Sequence, residues 1–461
     1  MIPPQFPAPA FAFPLETTMT TLLKTRSTLS ILAAAALAAL AGPAAATNGM
    51  NMEGYGPIST GLGGASQAID HGTAAMAQNP ATLGLMGSNM RLDAAFGILG
   101  PKVASSMPGM PEAESGGTSY FMPAVGFAQR VGAFTWGVGL FAQGGMGTEY
   151  DANSFLALGS GNPVRSELGV GRLLFPLVFQ VSPDFMIGGS IDFVWANLDL
   201  RMAATGAQLG SMVTGASGNL GAALPALGGA PWARVDFSDD NDFTGEAMGT
   251  GWAFKLGAVW KAAPGLTFGA SYQSKTSLGD LETGTTSASL SAAGGFADAG
   301  RITVQDFQWP ETLAIGVGWQ AMPQLLVAAD VKRIGWSDVM ESFKMRYDSA
   351  GLGGSVSFAM PQNWKDQTVF NLGAAYAVDP QLTLRAGMNL ADNPIPDAYV
   401  NPLFPATVKN HYTFGVGYAI TPQHEINGSL TYAPEVSVTN AQGVTITHRQ
   451  TNFQLMYSAR F

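Results

Sequence analysis

The chain contains no cysteine, carries few charges and, past its N-terminal region, has no long apolar run. The missing cysteines exclude a disulfide framework and argue against a structural zinc site. Charged residues make up 12% of the 461, against about 25% in an ordinary soluble domain. That is too little charge for a large soluble surface. A membrane-spanning helix needs roughly 18 or more consecutive apolar residues, and none follows the N-terminal region, so a helical membrane protein is poorly supported. The net charge is -10 with no cluster of Lys and Arg, so nucleic acid is not an expected partner. Catalytic patterns are missing as well. His71, His411, His424 and His448 lack metal-ligand spacing, and there is no G-x-S-x-G elbow or phosphate loop. No catalytic residue, metal site or cofactor is expected, and the chain reads as something other than an enzyme.

What the chain has is apolar residues, 47% of the total, placed at every second position. Phe134, Trp136, Val138 and Leu140 alternate with Thr135, Gly137 and Gly139; the rhythm returns at Phe254–Trp260, Leu313–Trp319 and Tyr412–Ile420. It also closes the chain, where Phe453, Leu455, Tyr457 and Phe461 share one face of an extended strand. Segments of about 9 to 11 residues with this period have the length of a tilted strand crossing a membrane. Counting the weaker segments gives about fourteen, and single-chain outer-membrane barrels take even numbers. The fold class expected is all-β, a 14-stranded antiparallel transmembrane β-barrel. Short turns such as Ala262-Ala263-Pro264-Gly265 alternate with long connections at about 143–170, 201–248 and 277–308. The short turns belong on the periplasmic side and the long connections outside. Trp136, Trp260, Trp319, Tyr412 and Tyr432 suit interfacial girdles. A secreted β-sandwich also alternates, but rarely needs so many strands or so little charge.

Residues 1–46 read as a leader. Lys24 and Arg26 precede an apolar stretch at 29–41 and a small-residue site at Ala44-Ala45-Ala46, the layout of a cleaved secretory signal. Cleavage is expected after Ala46, with translation starting at Met19. Residues 47–88 are too rich in Gly and small side chains for a strand, and about forty residues ahead of a barrel can fold into its lumen as a plug. Residues 89–461 form the barrel.

Several motifs resemble the FadL-type outer-membrane transporters of long-chain fatty acids and aromatic hydrocarbons. They are Thr60-Gly61-Leu62-Gly63, Asn79-Pro80-Ala81, the stretch FAQGGMGTEY at 141–150, WPETLAIGVGW at 309–319, IGWSD at 334–338, and the C-terminal block from Asn363-Trp364-Lys365-Asp366 through Arg385, Asp392 and Pro396. Phe461 is similar to the terminal aromatic by which barrel-assembly machinery takes up its substrates. The resemblance implies a fourteen-stranded barrel closed by an N-terminal hatch, with outer loops that capture a hydrophobic ligand and a kink in the third strand that releases it sideways into outer-membrane lipid, beside lipopolysaccharide. Asn79, Pro80 and Ala81 are the hatch element expected beside that opening, with Gly144 and Gly145 near the kink. Asn79-Pro80 also has a bland account, since a residue before Pro is pushed out of the α region and ends a helix.

Leu209, Met212, Val213, Leu220, Leu224 and Leu227 lie in a long connection where short amphipathic helices are expected to make a capture surface or hold the loop together. Candidate polar head-group contacts are Lys255, Lys332, Arg385 and Asn197. The rival functions are a general porin and an outer-membrane adhesin or surface enzyme.

Overall fold

A computed structural model describes residues 48–241 and 243–461. The expected leader, the Met19 start and the cleavage site after Ala46 lie outside the described residues. The N-terminal segment holds one short helix, α1 (Gly56–Thr60), and two single-turn stretches of 3-10 helix, Gly72–Ala77 and Pro80–Leu85. Strands follow in the order β1 (Met90–Ser106), β2 (Ala113–Glu114), β3 (Tyr120–Val131), β4 (Phe134–Tyr150), β5 (Val164–Ser182) and β6 (Phe185–Ala204). An outer connection then carries α2 (Gly206–Met212), β7 (Val213–Ser217), α3 (Gly218–Leu227) and β8 (Ala233–Phe237). Next come β9 (Ala247–Ala263), β10 (Leu266–Gln273), β11 (Ser277–Leu278), β12 (Leu281–Glu282), β13 (Ala288–Ala292) and β14 (Phe296–Gln305). The remainder is β15 (Thr312–Met322), β16 (Leu325–Ile334), β17 (Ser342–Ser349), β18 (Ser355–Pro361), β19 (Gln367–Ala377), β20 (Leu382–Ala391), β21 (His411–Ala419), β22 (His424–Thr439) and β23 (Thr445–Arg460).

These strands make one antiparallel sheet that closes on itself. The ring runs β1, β3, β4, β5, β6, β9, β10, β15, β16, β19, β20, β21, β22, β23 and back to β1. The seam is long, from Arg91 opposite Arg460 to Ser106 opposite Thr445, and the Phe461 N–H donates to the Met90 carbonyl at 2.9 Å. Closure leaves no unpaired edge at the seam, as a medium without water requires of backbone N–H and C=O groups.

Fourteen strands make this ring, but the expectation of a 14-stranded sheet is corrected: among the described residues the sheet has 23 strands. Those that alternation did not reveal, β2, β7, β8, β11, β12, β13, β14, β17 and β18, lie in the long connections. There the chain folds back on the extended wall strand β6, which pairs with β8, and on itself, β8 with β13, β14 with β17, and β18 with β7. They were hidden because most are five residues or shorter, and because strands that pack into a dome above the membrane show no lipid-facing alternation. For the same reason the connection expected at 143–170 shrinks, since β4 runs on to Tyr150 and β5 begins at Val164.

The period-2 residues divide as expected. Phe453, Leu455 and Tyr457 of β23 are exposed while Asn452, Gln454 and Ser458 are buried. The same outward face carries Trp136, Trp260, Trp319, Leu430 and Tyr432. A water-soluble protein would not expose such a belt, whereas lipid accepts it. Among the described residues no helix is long and apolar enough to cross a membrane. Leu430 sits mid-strand on the lipid side of β22, so Leu430→Arg is expected to destabilise the folded barrel by about 2–4 kcal/mol in bilayers. Urea titration of the reconstituted protein measures it.

Candidate functional site

The inner wall holds residues 48–88 through charged and hydroxyl groups that bond their backbone. Asp330 of β16 accepts from the N–H of Ser66 at 2.7 Å and of Gln67 at 3.2 Å. Asp93 of β1 accepts from the Thr73 N–H at 2.7 Å, and Arg130 of β3 donates to the carbonyls of Gly84 and Met86 at 2.8 Å. The hydroxyl of Thr413 accepts from the Gly63 N–H at 3.0 Å. A Gly-rich segment with little regular structure leaves many backbone groups unpaired, and these contacts satisfy them. Glycines of the alternating strands face inward here: a Cβ on Gly137 would meet Met76, and one on Gly316 would meet Gln67. Burial pushes the Tyr55 phenol up and the His71 imidazole down to about 4, so both stay neutral hydrogen-bonding groups.

The wall is broken at one place. β1 and β3 stay paired from Met90–Gln129 to Leu99–Tyr120, but the pairing of β3 with β4 ends at Ala124–Phe141. Pro123, next in line, has no N–H to extend the ladder. On its other side β4 slips register against β5 between Ala142 and Gly144, a bulge with Gln143 as the extra residue. The edge of β4 thus freed is taken by the N-terminal segment. The Gly145 N–H donates to the Met50 carbonyl at 3.1 Å, and Asn51 forms a bridge with Gly144. Only glycine fits at 144, because a Cβ there would lie 2.1 Å from the Met50 oxygen. Side chains complete the closure. The Asn51 Oδ1 accepts from the Gln143 amide at 3.0 Å and from the Trp309 indole at 2.8 Å, while the Tyr55 hydroxyl donates to the Gln143 carbonyl at 2.6 Å.

Against the break lies a cavity of about 240 Å³. Its walls are mostly apolar: Leu99, Val103, Phe121 and Pro123 on one side of the break, Leu140, Phe141 and Met146 on the other, with Leu168, Val170 and Trp195 behind. Asn197, His448 and Gln450 are among its few polar residues, and it has no Lys or Arg. A smaller cavity of about 20 Å³ on the loop side is lined by Met50, Met146, Met340, Met360, Phe307, Phe343 and Phe404. The two share Met146 and Leu168 in their linings, so they are neighbours on the inner side of the break. Flexible thioethers adapt to apolar molecules of varied shape.

Gly144, Gly145 and Asn197 line the larger cavity. Asn79, Pro80 and Ala81 do not. Asn79 donates to the carbonyls of Gln67 and Ala258, and its Oδ1 accepts from the Ala81 N–H, which sets this element against β6 and β9 instead of the break. The three cations are also elsewhere. Lys255 pairs with Asp192 at 2.5 Å, Lys332 donates to the Gly64 carbonyl at 3.2 Å and Arg385 to Asn427 at 2.9 Å. Each has a partner on the wall or in residues 48–88, and none of the three lines this cavity. In the loop, Leu209, Leu220 and Leu227 are buried in the dome core while Met212, Val213 and Leu224 pack at its edge. They hold the connection together. Met50, Asn51, Gln143 and Trp309 were not anticipated. Irregular segments have no periodicity, and only the three-residue neighbourhood of Gly144 hinted at the place.

A family model described as outer membrane protein transport protein (OMPP1/FadL/TodX) matches residues 32–460. The P. putida toluene transporter TodX superposes with a TM-score of 0.81 at 31% identity, covering 89% of this chain and 99% of that one. The Ralstonia pickettii toluene transporter TbuX gives 0.75 at 32% identity over 89% and 99%. A Pseudomonas aeruginosa FadL homologue shares the fold at a TM-score of 0.70 and 17% identity, covering 90% and 100%. A curated Chlorobium limicola protein of uncharacterized role is 52% identical over 58 residues, 13% of this chain and 28% of its own length, so the match spans under a third of it.

Removing the Asp330 carboxylate leaves the Ser66 and Gln67 amides without their acceptor. Hydrogen bonds to a charged group contribute about 1.5–3 kcal/mol, so Asp330→Ala is expected to speed amide exchange of residues 62–68 by at least about tenfold while the β1–β23 seam stays protected. Hydrogen-exchange mass spectrometry in detergent reads both regions.

Proposed function

The chain belongs to the outer membrane protein transport family (OMPP1/FadL/TodX), and from that premise we propose that it carries hydrophobic compounds passively across the outer membrane, leaving sideways through the break between β3 and β4. One observation supports the lateral route: the ladder of the wall is interrupted beside an apolar cavity, and the edge is occupied by the N-terminal segment instead of a barrel strand. Residues 48–88 act as the hatch, with Met50 and Asn51 as its gate. The physics favours this exit, because an apolar molecule gains roughly 0.8 kcal/mol per CH₂ withdrawn from water, and an aqueous outlet into the periplasm forfeits that gain. Capture begins in the Met- and Phe-lined cavity under the outer loops.

A neutral cargo fits best. The cavity lacks a cation to meet a carboxylate, and Lys255, Lys332 and Arg385 are already bonded. An aromatic hydrocarbon is therefore favoured over a fatty acid. Cells producing the protein are expected to take up radiolabelled toluene several-fold faster than cells lacking it, with a smaller gain for oleate. Equal uptake by both strains overturns the transporter reading, and ion conductance in planar bilayers without hydrocarbon uptake points to a porin.

The absence of native cysteine makes the gate directly testable. In the variant carrying Asn51→Cys and Gln143→Cys, oxidation is expected to suppress toluene uptake and a reductant to restore it. Undiminished uptake with the crosslink formed places the route elsewhere.

A further inference from the structure

Asn51 touches both the wall and the dome, and its partner in the dome is a buried cluster of three tryptophans. Trp309 and Trp336 meet edge to face at 5.7 Å, Trp336 and Trp364 at 5.0 Å, and all three are buried. They come from three separate outer connections, 306–311, 335–341 and 362–366. Those same connections supply Phe307, Met340 and Gln362 to the small apolar cavity, whose remaining lining includes Met50. Thus the residues that would meet a captured molecule are within two to four positions of the cluster in sequence. Among the described residues, of the three indoles only that of Trp309 has a hydrogen-bond acceptor in residues 48–88, and the indole N–H groups of Trp336 and Trp364 have no partner. The Trp309 backbone is itself fixed, its N–H donating to Thr276 Oγ1 at 2.7 Å and its carbonyl accepting from the Thr276 N–H at 3.1 Å.

Resting on the gate reading above, we propose that the Trp309 indole N–H is a positioning device that holds Asn51 against the break, so that the dome sets how often the Met50–Asn51 segment lets go of β4. Asn51 has one carboxamide oxygen and two donors converge on it, one from the wall and one from the dome. Loss of the dome's donor leaves the wall's bond alone to orient the side chain. Trp309 is a positioning residue, since it acts through Asn51 instead of touching cargo.

The test uses the full-length protein with Met50→Cys as its sole thiol. The rate at which a water-soluble maleimide modifies that thiol reports departure of the segment. Trp309→Phe keeps an aromatic ring and deletes the N–H; a lost hydrogen bond of ordinary strength predicts labelling about three- to tenfold faster. Asn51→Ala removes the bonds from Gln143 and Trp309 together, so it is expected to give an equal or larger rise, and the double variant to be no faster than Asn51→Ala alone, because the Trp309 bond acts only through Asn51. Trp364→Phe, whose indole N–H has no acceptor among the described residues, is expected to change the rate less than twofold; Trp336 is left intact because its ring packs on Gly49 beside the reporter. Folded barrels are recognised by their altered gel mobility before heating. An unchanged rate in Trp309→Phe, an equal rise in Trp364→Phe, or additive effects in the double variant each overturns the proposal. Toluene uptake by the unsubstituted protein is scored separately, so failure of the positioning role and failure of the transport reading are distinct results.

Discussion

The structure turns on one hydrogen bond pattern: where β4 has lost its strand partner, the Gly145 N–H finds the carbonyl of Met50. Hydrocarbon offers no substitute for such a partner, and an unsatisfied backbone group there costs several kcal/mol. A barrel wall cannot simply be left open. It needs something that completes the ladder, and a short extended stretch from the chain's own N-terminal segment does so. Gly144 is the geometric condition for the exchange, because any side chain at that position would collide with the incoming carbonyl.

The same requirement explains why so much of the lumen's polarity is spent on residues 48–88. An irregular, Gly-rich segment brings bare amides and carbonyls into a confined interior, and the wall answers with Asp330, Asp93, Arg130, Lys332 and Thr413. Most of the segment is pinned by groups on the far wall and the base, whereas Met50 and Asn51 are held by one ladder bond and a shared carboxamide oxygen. The firmest anchors are therefore away from the break. On the proposed reading this gradient lets the tip move while the bulk of the hatch keeps the barrel blocked to polar solutes.

Alternation made the wall legible because lipid outside and polar groups inside impose period two on every spanning strand, and residues such as Phe453, Leu455 and Tyr457 follow it without exception. Gly144 and Gly145 at the break have a local reason: a Cβ at either position would lie 2.1 Å from a backbone oxygen, of Met50 and of Leu168 respectively. What alternation could not reveal was pairing across distance. Lys255 looks free in sequence, and its partner Asp192 lies 63 positions away; Asn79-Pro80 is a helix-entry signal whose neighbours on β6 and β9 are set by the fold alone. The dome strands escaped for a different reason, since strands that pack on one another and on short helices carry no lipid-facing stripe.

Charge placement then bears on what the path can carry. A cation buried beside its carboxylate is held there by both partners' desolvation, and separating the pair to greet a ligand would strand one charge in the interior. Arg172 and Lys255 share Asp192 in this way, and all three are fully buried. The larger cavity meanwhile offers Asn197, His448 and Gln450 among Phe, Leu, Val and Trp. A carboxylate entering that space would exchange water for amides, an imidazole and the Glu167 carboxylate, an unfavourable trade, whereas a hydrocarbon ring has no charge to desolvate. Discrimination against anions follows from where the barrel has already used its positive charge.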